Sequence, residues 1–368
     1  MSTTLLLYIL VMFLCTFSTY LAPSSIPKNS IKYYLCYFIP IGIYTLFWGL
    51  RYDVGKDYIS YKDIYDYLDY YDRIEFGYIL INDVLNKLDL SYVSIFIVTS
   101  FIPIVFLYAI GKNENKLFLS FLVFFYFTTS LVFFAQNGIR QMLALSCIYL
   151  LISRLRENNN YILLLVLAFG AYSVHKSAII PILLIFLLFI IRKIYINKYV
   201  LIIALVFMTF YGNFLSGLIY SNVPIISSFF NYSNYGDDIL DFEKNVEYSS
   251  GLGLLLKMLL NIMIVFHQDK IVYNNKSKCV YYFYMFFLLG ILLEPIFMDN
   301  PIMKRLNIYF TSTKFILYSY LCCYLWTYKN RINIPFLLFF LVGSVLLYVA
   351  SILSNSNICV PYKTVFSI

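Results

Sequence analysis

Charge is scarce in this 368-residue chain. Only 12% of residues are Asp, Glu, Lys or Arg and 61% are hydrophobic, whereas a soluble domain carries about 25% charged residues. So little polar surface excludes a water-soluble globule, and the bilayer has to be the solvent. Histidine is scarcer still, with two residues, His175 and His267. The seven cysteines form no CxxC pair and have no histidine at ligand spacing. Neither a disulfide framework nor a zinc site is therefore indicated. Cys15, Cys36, Cys147, Cys322 and Cys323 lie inside apolar runs and read as packing residues. No Walker, GxSxG or HExxH element occurs at usable spacing, so ATP-driven transport, serine hydrolysis and zinc proteolysis lack support. No fixed-period repeat and no low-complexity linker divide the chain.

Long apolar runs fill the space that charge leaves. They lie near residues 4–22, 33–50, 91–111, 117–135, 138–153, 161–175, 177–191, 199–220, 251–267, 279–298, 306–327 and 333–354. Each approaches the length that crosses a hydrocarbon core about 30 Å thick at about 1.5 Å per residue. The expected fold is an all-α integral membrane protein, a polytopic bundle of about twelve transmembrane helices forming one domain over 1–368. The N-terminal run has no basic n-region and leads on into further membrane segments, so it reads as a retained span rather than a cleaved signal. The stretch 75–90 contains Asn82, Asp83, Asn86 and Lys87 and reads as interfacial or re-entrant.

Alternate loops differ sharply in charge. One side receives 14 Lys and Arg, from Lys28 to Arg331, against Glu114, Glu157 and Asp269. These loops are short, where an excess of cations marks the cytoplasmic face. Both termini and the two long loops, 51–90 and 221–250, are then expected outside. Those two loops hold 14 of the 19 acids. The formal charge of +8 is thus accounted for by topology, and no nucleic-acid partner is expected.

The outer face carries the chemistry. In the first long loop, Tyr58, Tyr61, Tyr65 and Leu68 recur at helical spacing, with Asp63, Asp66, Asp69 and Asp72 stepping around the other side. Such an amphipathic helix either rests its tyrosines at headgroup level or stacks them on sugar rings while carboxylates bind hydroxyls. The acidic stretch 231–250 reads as a solvated loop, with binding of a polar substrate as the alternative.

Arg140, in Gln136-Asn137-Gly138-Ile139-Arg140, opens a span at its outer end. A cation there opposes the helix dipole, at a cost unless an anion is held beside it. His175-Lys176 and Lys304-Arg305 open two further spans in the same way. Free backbone N–H groups with a cation on each suit a phosphate or pyrophosphate. The bland reading is snorkelling, or pairing with loop carboxylates. Arg51 closes a span, where the dipole already favours it. His175 is a candidate general base because an imidazole exchanges protons near neutral pH. Glu294, near the end of a span, requires a cation such as Arg305.

The ordered set Arg51-x-Asp53-x-Gly55-x-Asp57, Glu75-Phe-Gly77-Tyr78, Arg140-Gln-x-x-Ala144, His175-Lys-Ser177-Ala178 and Arg305-x-x-x-Tyr309-Phe310 resembles the EpsG-like branch of Wzy-type polysaccharide polymerases. The resemblance spans about residues 50 to 310. It implies a multi-pass protein of the bacterial inner membrane, related to GT-C glycosyltransferases, that works without metal or cofactor. The implied reaction joins O-antigen or exopolysaccharide repeat units at the periplasmic face, with inversion. Donor and acceptor are both glycans on undecaprenyl diphosphate in the lipid bilayer, and a chain-length-regulating co-polymerase is the further partner. On this reading Arg51, Arg140, Lys304 and Arg305 bind pyrophosphate. His175 is the base, with Glu75 or Asp57 competing for the role, and Asp53, Tyr58, Tyr61 and Tyr78 contact sugar. A flippase of lipid-linked oligosaccharide is the alternative, kept alive by Lys257 and Lys314 several residues into spans. An O-antigen ligase is the other.

Overall fold

A backbone surrounded by hydrocarbon must satisfy its own polar groups, and a chain without long alternating patterns does so as helices. The computed structural model describes residues 2–22, 31–68, 74–155, 161–191, 194–220, 251–275, 278–297 and 300–366. Among them there is no strand, only an isolated antiparallel bridge between Arg51 and Thr364. The expected loop 221–250, with its acidic stretch, and Asp69 and Asp72 lie outside the described residues.

The helices are α1 (Ser2–Leu21), α2 (Ile31–Cys36), α3 (Phe38–Gly49), α4 (Tyr58–Asp66), α5 (Phe76–Lys87) and α6 (Val93–Ile110). There follow α7 (Lys116–Thr128), α8 (Leu131–Asn137), α9 (Ile139–Arg154), α10 (Tyr161–Val174), α11 (Ile179–Ile190) and α12 (Lys198–Tyr220). The last five are α13 (Gly251–Phe266), α14 (Lys278–Leu293), α15 (Pro301–Thr311), α16 (Lys314–Thr327) and α17 (Asn333–Ser354).

Three of these are long and apolar enough to cross a membrane: α1, α6 and α17. The pair α7 and α8 makes a fourth if read as one span bent by 59°. Among the described residues, six other predicted spans coincide with shorter apolar helices, α3 and α10 to α14, and local features cut several of the apolar runs. Ser130 takes a left-handed φ of 62° between α7 and α8. Pro301 and an Asn300 cap start a new helix where the sequence suggests a run beginning at 306. The chain is thus an all-α protein whose apolar helices fit a membrane.

Two compact units are present, Met1–Leu187 with Tyr318–Ile368, and Leu188–Leu317. In the first, α1 packs on α3 and α7, α3 on α6, α6 on α9, α9 on α10, and α10 on α5. In the second, α12 packs on α13 and α14, and α14 on α15.

Candidate active site

The site begins with a knot of backbone in the first unit. Two residues past the end of α3 stands Arg51, which is 1% exposed. Its Nε donates to the Val54 carbonyl at 3.1 Å, and its two terminal nitrogens donate to Trp48 at 2.6 Å and Gln136 at 3.4 Å. The guanidinium carbon stands 4.6 Å from the Phe96 ring centroid and 5.7 Å from that of Tyr58, within cation–π range. Burial lowers its pKa to about 10, which still leaves it charged at neutral pH. The sequence suggests Arg51 as a pyrophosphate ligand. Here it is enclosed, with its donors on three carbonyls, so any influence on a phosphate is indirect.

What Arg51 secures is the break between α8 and α9. Gln136 carries the carbonyl it reaches, and the neighbouring Asn137 is locked on both ends. Asn137 Oδ1 accepts from the Lys56 N–H at 2.5 Å, and Nδ2 donates to the Asn357 carbonyl at 3.2 Å. Gly55, at a φ of 104° that favours glycine, donates its N–H to Ile358 at 2.8 Å. The first loop, the α8–α9 break and the chain after α17 are therefore one hydrogen-bonded assembly.

Helix α9 starts from this assembly, with Arg140 at its second position. The anion that its helix-end placement demands is the carboxylate of Glu75: one terminal nitrogen of Arg140 donates to Oε2. The other oxygen of Glu75, Oε1, lies 3.1 Å from His175 Nδ1. One carboxylate thus ties together residues from three helix ends. Glu75 itself is 9% exposed. Burial pushes its carboxyl pKa up, but the His175 hydrogen bond and the Arg140 charge outweigh that and hold it at about 2. It is a carboxylate at any physiological pH. Arg140 Nε–H is buried with no hydrogen-bond partner, while the side chain as a whole keeps 28% of its surface exposed.

Gly77 explains how Glu75 gets there. A Cβ at Gly77 meets Ser173 Oγ at 2.5 Å and the Ser173 carbonyl carbon at 2.9 Å. Only glycine lets the start of α5 press on the end of α10, two residues before His175. His175 itself breaks α10 with an extended φ of −156°, which turns its ring towards Glu75.

The tyrosines fall differently from expectation. Tyr58 and Tyr78 are 0% exposed and Tyr61 is 6% exposed, packed with Ile64, Tyr65, Phe96 and Ile139. The helical spacing of α4 is as the sequence suggests, but the aromatic face is a core under the site. It is not a platform open to sugars. Asp53 is exposed, and Asp57 lies near enough for its charge to act on Tyr61. Lys304 and Arg305 are exposed on α15, in the second unit. His267 bonds the Met263 carbonyl at 2.8 Å within its own chain turn.

Sequence reasoning names Glu75 only as a rival base and overlooks it as the partner of both Arg140 and His175. It also overlooks the segment after α17. No local signal connects residues 65 and 100 positions apart. No curated protein and no solved structure matches the chain. The EpsG family profile matches residues 34–364, a span that takes in both the carboxylate-centred site and the C-terminal segment that braces it, and the chain belongs to the EpsG family.

Proposed function

We propose that this protein polymerises oligosaccharide repeat units carried on undecaprenyl diphosphate, by inverting glycosyl transfer at the periplasmic face of a bacterial inner membrane. Family membership supports a polysaccharide polymerase-type activity. The observation that carries the assignment of roles is the single carboxylate of Glu75 shared by Arg140 and His175.

An ionised Glu75 favours a proton donor at His175 Nδ1, which places the lone pair of the neutral ring on Nε2. Nε2 is the base that takes the acceptor hydroxyl proton as that oxygen attacks the anomeric carbon. The bond from that carbon to the diphosphate breaks, and the lipid diphosphate leaves with both electrons. Arg140 meets the developing charge on the leaving group with the exposed part of its guanidinium. Glu75 serves as the orienting residue rather than the base, since both of its oxygens are engaged and a carboxyl pKa held at about 2 makes it a weak proton acceptor. Arg305 and Lys304 remain proposed phosphate contacts, and Asp53 and Asp57 proposed sugar contacts. Donor and acceptor lipids are the partners, with a chain-length-regulating co-polymerase as a further one.

The test is a glycan profile with protein levels matched. Arg140→Ala and Arg305→Ala are each expected to abolish long polymer while the single capped repeat unit persists. His175→Ala is expected to slow polymerisation by about 100-fold or more, the usual contribution of a positioned base. Normal ladders in Arg140→Ala would sink the phosphate role. A deletion strain that lacks even the single capped unit would point to a flippase, and one that accumulates unattached long polymer to a ligase.

A further inference from the structure

A second group of charges lies in the other unit, and nothing in the proposed reaction uses most of it. Glu294 follows directly on α14, and Lys314 Nζ, at the start of α16, donates to its Oε2 at 2.5 Å. The charges of Lys257 on α13 and Lys304 on α15 also act on Glu294, and those of Lys314 and Lys304 act on Lys257. One ammonium group therefore bonds the carboxylate, and two more lie within electrostatic reach of it. Among the described residues of this unit the other acid is Asp269, which already holds Lys198 at 3.1 Å.

Lys257 stands in an apolar stretch of α13. Lys257 is the seventh residue of Gly-Leu-Gly-Leu-Leu-Leu-Lys-Met-Leu-Leu, about 9 Å along the axis from the start of α13. Ammonium groups at such a position need counter-charge, because hydrocarbon solvates none. Glu294 neutralises one of the three and leaves two in excess.

The frame around the cluster is fixed. Asn300 caps α15 by accepting from the N–H groups of Ile302 and Met303, each at 3.0 Å. One turn beyond Lys304, Asn307 Nδ2 donates to the Gly290 carbonyl at 3.0 Å. A Cβ at Gly290 meets backbone atoms of Phe310 and Thr311 at 2.5–2.6 Å, so α14 and α15 are pressed together. The group is also reachable: Lys314 is nearly enclosed, with a side chain 12% exposed, but Glu294 is 38% exposed and Lys257 opens outward.

We propose that Lys257, Lys304 and Lys314 form a seat for the diphosphate headgroup of a polyprenyl lipid, with Glu294 as the resident counter-ion that a phosphate displaces from Lys314. The choice of a diphosphate rests on the polymerase reading. The surplus of two positive charges favours a doubly charged headgroup over a phospholipid with one negative charge. Two lipid-linked glycans meet in the proposed reaction, and this seat offers a headgroup site to one of them.

Binding without turnover tests the seat. The full chain in phosphatidylcholine nanodiscs is titrated with undecaprenyl diphosphate and read by native mass spectrometry, with phosphatidylglycerol as competitor in a second arm. Saturable binding is expected, weakened about tenfold by Lys257→Gln and by Lys314→Gln, each replacing a charge-assisted contact. Lys257→Arg should bind as wild type, and Glu294→Gln several-fold more tightly. Unaltered binding in both glutamine variants overturns the seat. Equal competition by phosphatidylglycerol overturns the diphosphate assignment, since any phosphate lipid then suffices. Should the variants fail to fold, acetylation of Lys257 in the wild-type chain decides: protection by undecaprenyl diphosphate supports the seat and unchanged labelling refutes it. If binding is insensitive to the lysines while Arg140→Ala still abolishes polymer, the seat alone is lost. If the lipid binds at the lysines but deletion of the gene leaves polymer intact, the polymerase reading is lost instead.

Discussion

At the scale of single residues, Glu75 decides what its two partners can do. Glu75→Gln leaves Arg140 without its counter-charge beside a buried core. Removing one partner of a fully buried pair costs about 3–5 kcal/mol. Because the Arg140 side chain is 28% exposed, the expected loss is smaller, on the order of 2 kcal/mol. Thermal denaturation in detergent measures it. The same pair has a defined pH dependence. The folded-state pKa of Glu75 is depressed from 4.5 to about 2, so its stabilisation is complete above about pH 4.5 and declines as pH falls towards about 2. The stability gap between wild type and Glu75→Gln should therefore persist down to about pH 5 and narrow below that. A gap that already closes between pH 7 and 5 would mean that Glu75 is not held as described.

At the scale of elements, helix ends carry the site and close approaches set their positions. Helix α5 brings Glu75 to His175 only because Gly77 allows contact with the backbone of Ser173. Gly77→Ala forces the two helices apart at a typical overpacking cost of about 1–3 kcal/mol. A small displacement there should abolish long polymer at nearly normal protein levels. Ser173→Gly should not rescue it, because the carbonyl carbon and oxygen of Ser173, both 2.9 Å from the added Cβ, remain after the side chain is gone. A full ladder in the Gly77→Ala variant, read on the same glycan gel, would separate the helix contact from function. The motif Glu75-Phe-Gly77-Tyr78 thus has a physical reading: a carboxylate that reaches Arg140 and His175 from the helix start, a contact glycine, and a tyrosine that anchors the helix in the core.

At the scale of the first unit, the segment after α17 acts as a brace. Tyr52 donates to the Lys363 carbonyl at 3.0 Å, Val365 donates to Leu50 at 2.9 Å, and Tyr362 stacks on Phe47 with centroids 4.3 Å apart. Together with the bonds to Gly55 and Asn137, these hold the loop that encloses Arg51. Truncation at residue 354 strips several hydrogen bonds worth about 0.5–1.5 kcal/mol each. The truncated protein should melt lower and lose polymer, although the segment contributes no residue to the proposed chemistry. Arg51→Lys should do likewise more mildly, since one ammonium cannot reach three separate carbonyls as the guanidinium does.

The sequence by itself determined what depends on composition and short spacing. Scarce charge and long apolar runs required a helical membrane protein, and the tyrosine period marked one face of a helix at α4. The opposition of Arg140 to its helix dipole announced that an anion must be near. None of these depends on contacts between distant parts of the chain. Only the tertiary structure decided which anion that was, because Glu75 is 65 positions from Arg140 and 100 from His175. It also decided that Arg51 spends its donors on three backbone carbonyls, and that Tyr58, Tyr61 and Tyr78 are buried. Burial follows from which surfaces meet, and a motif records the residue type without the surface that covers it.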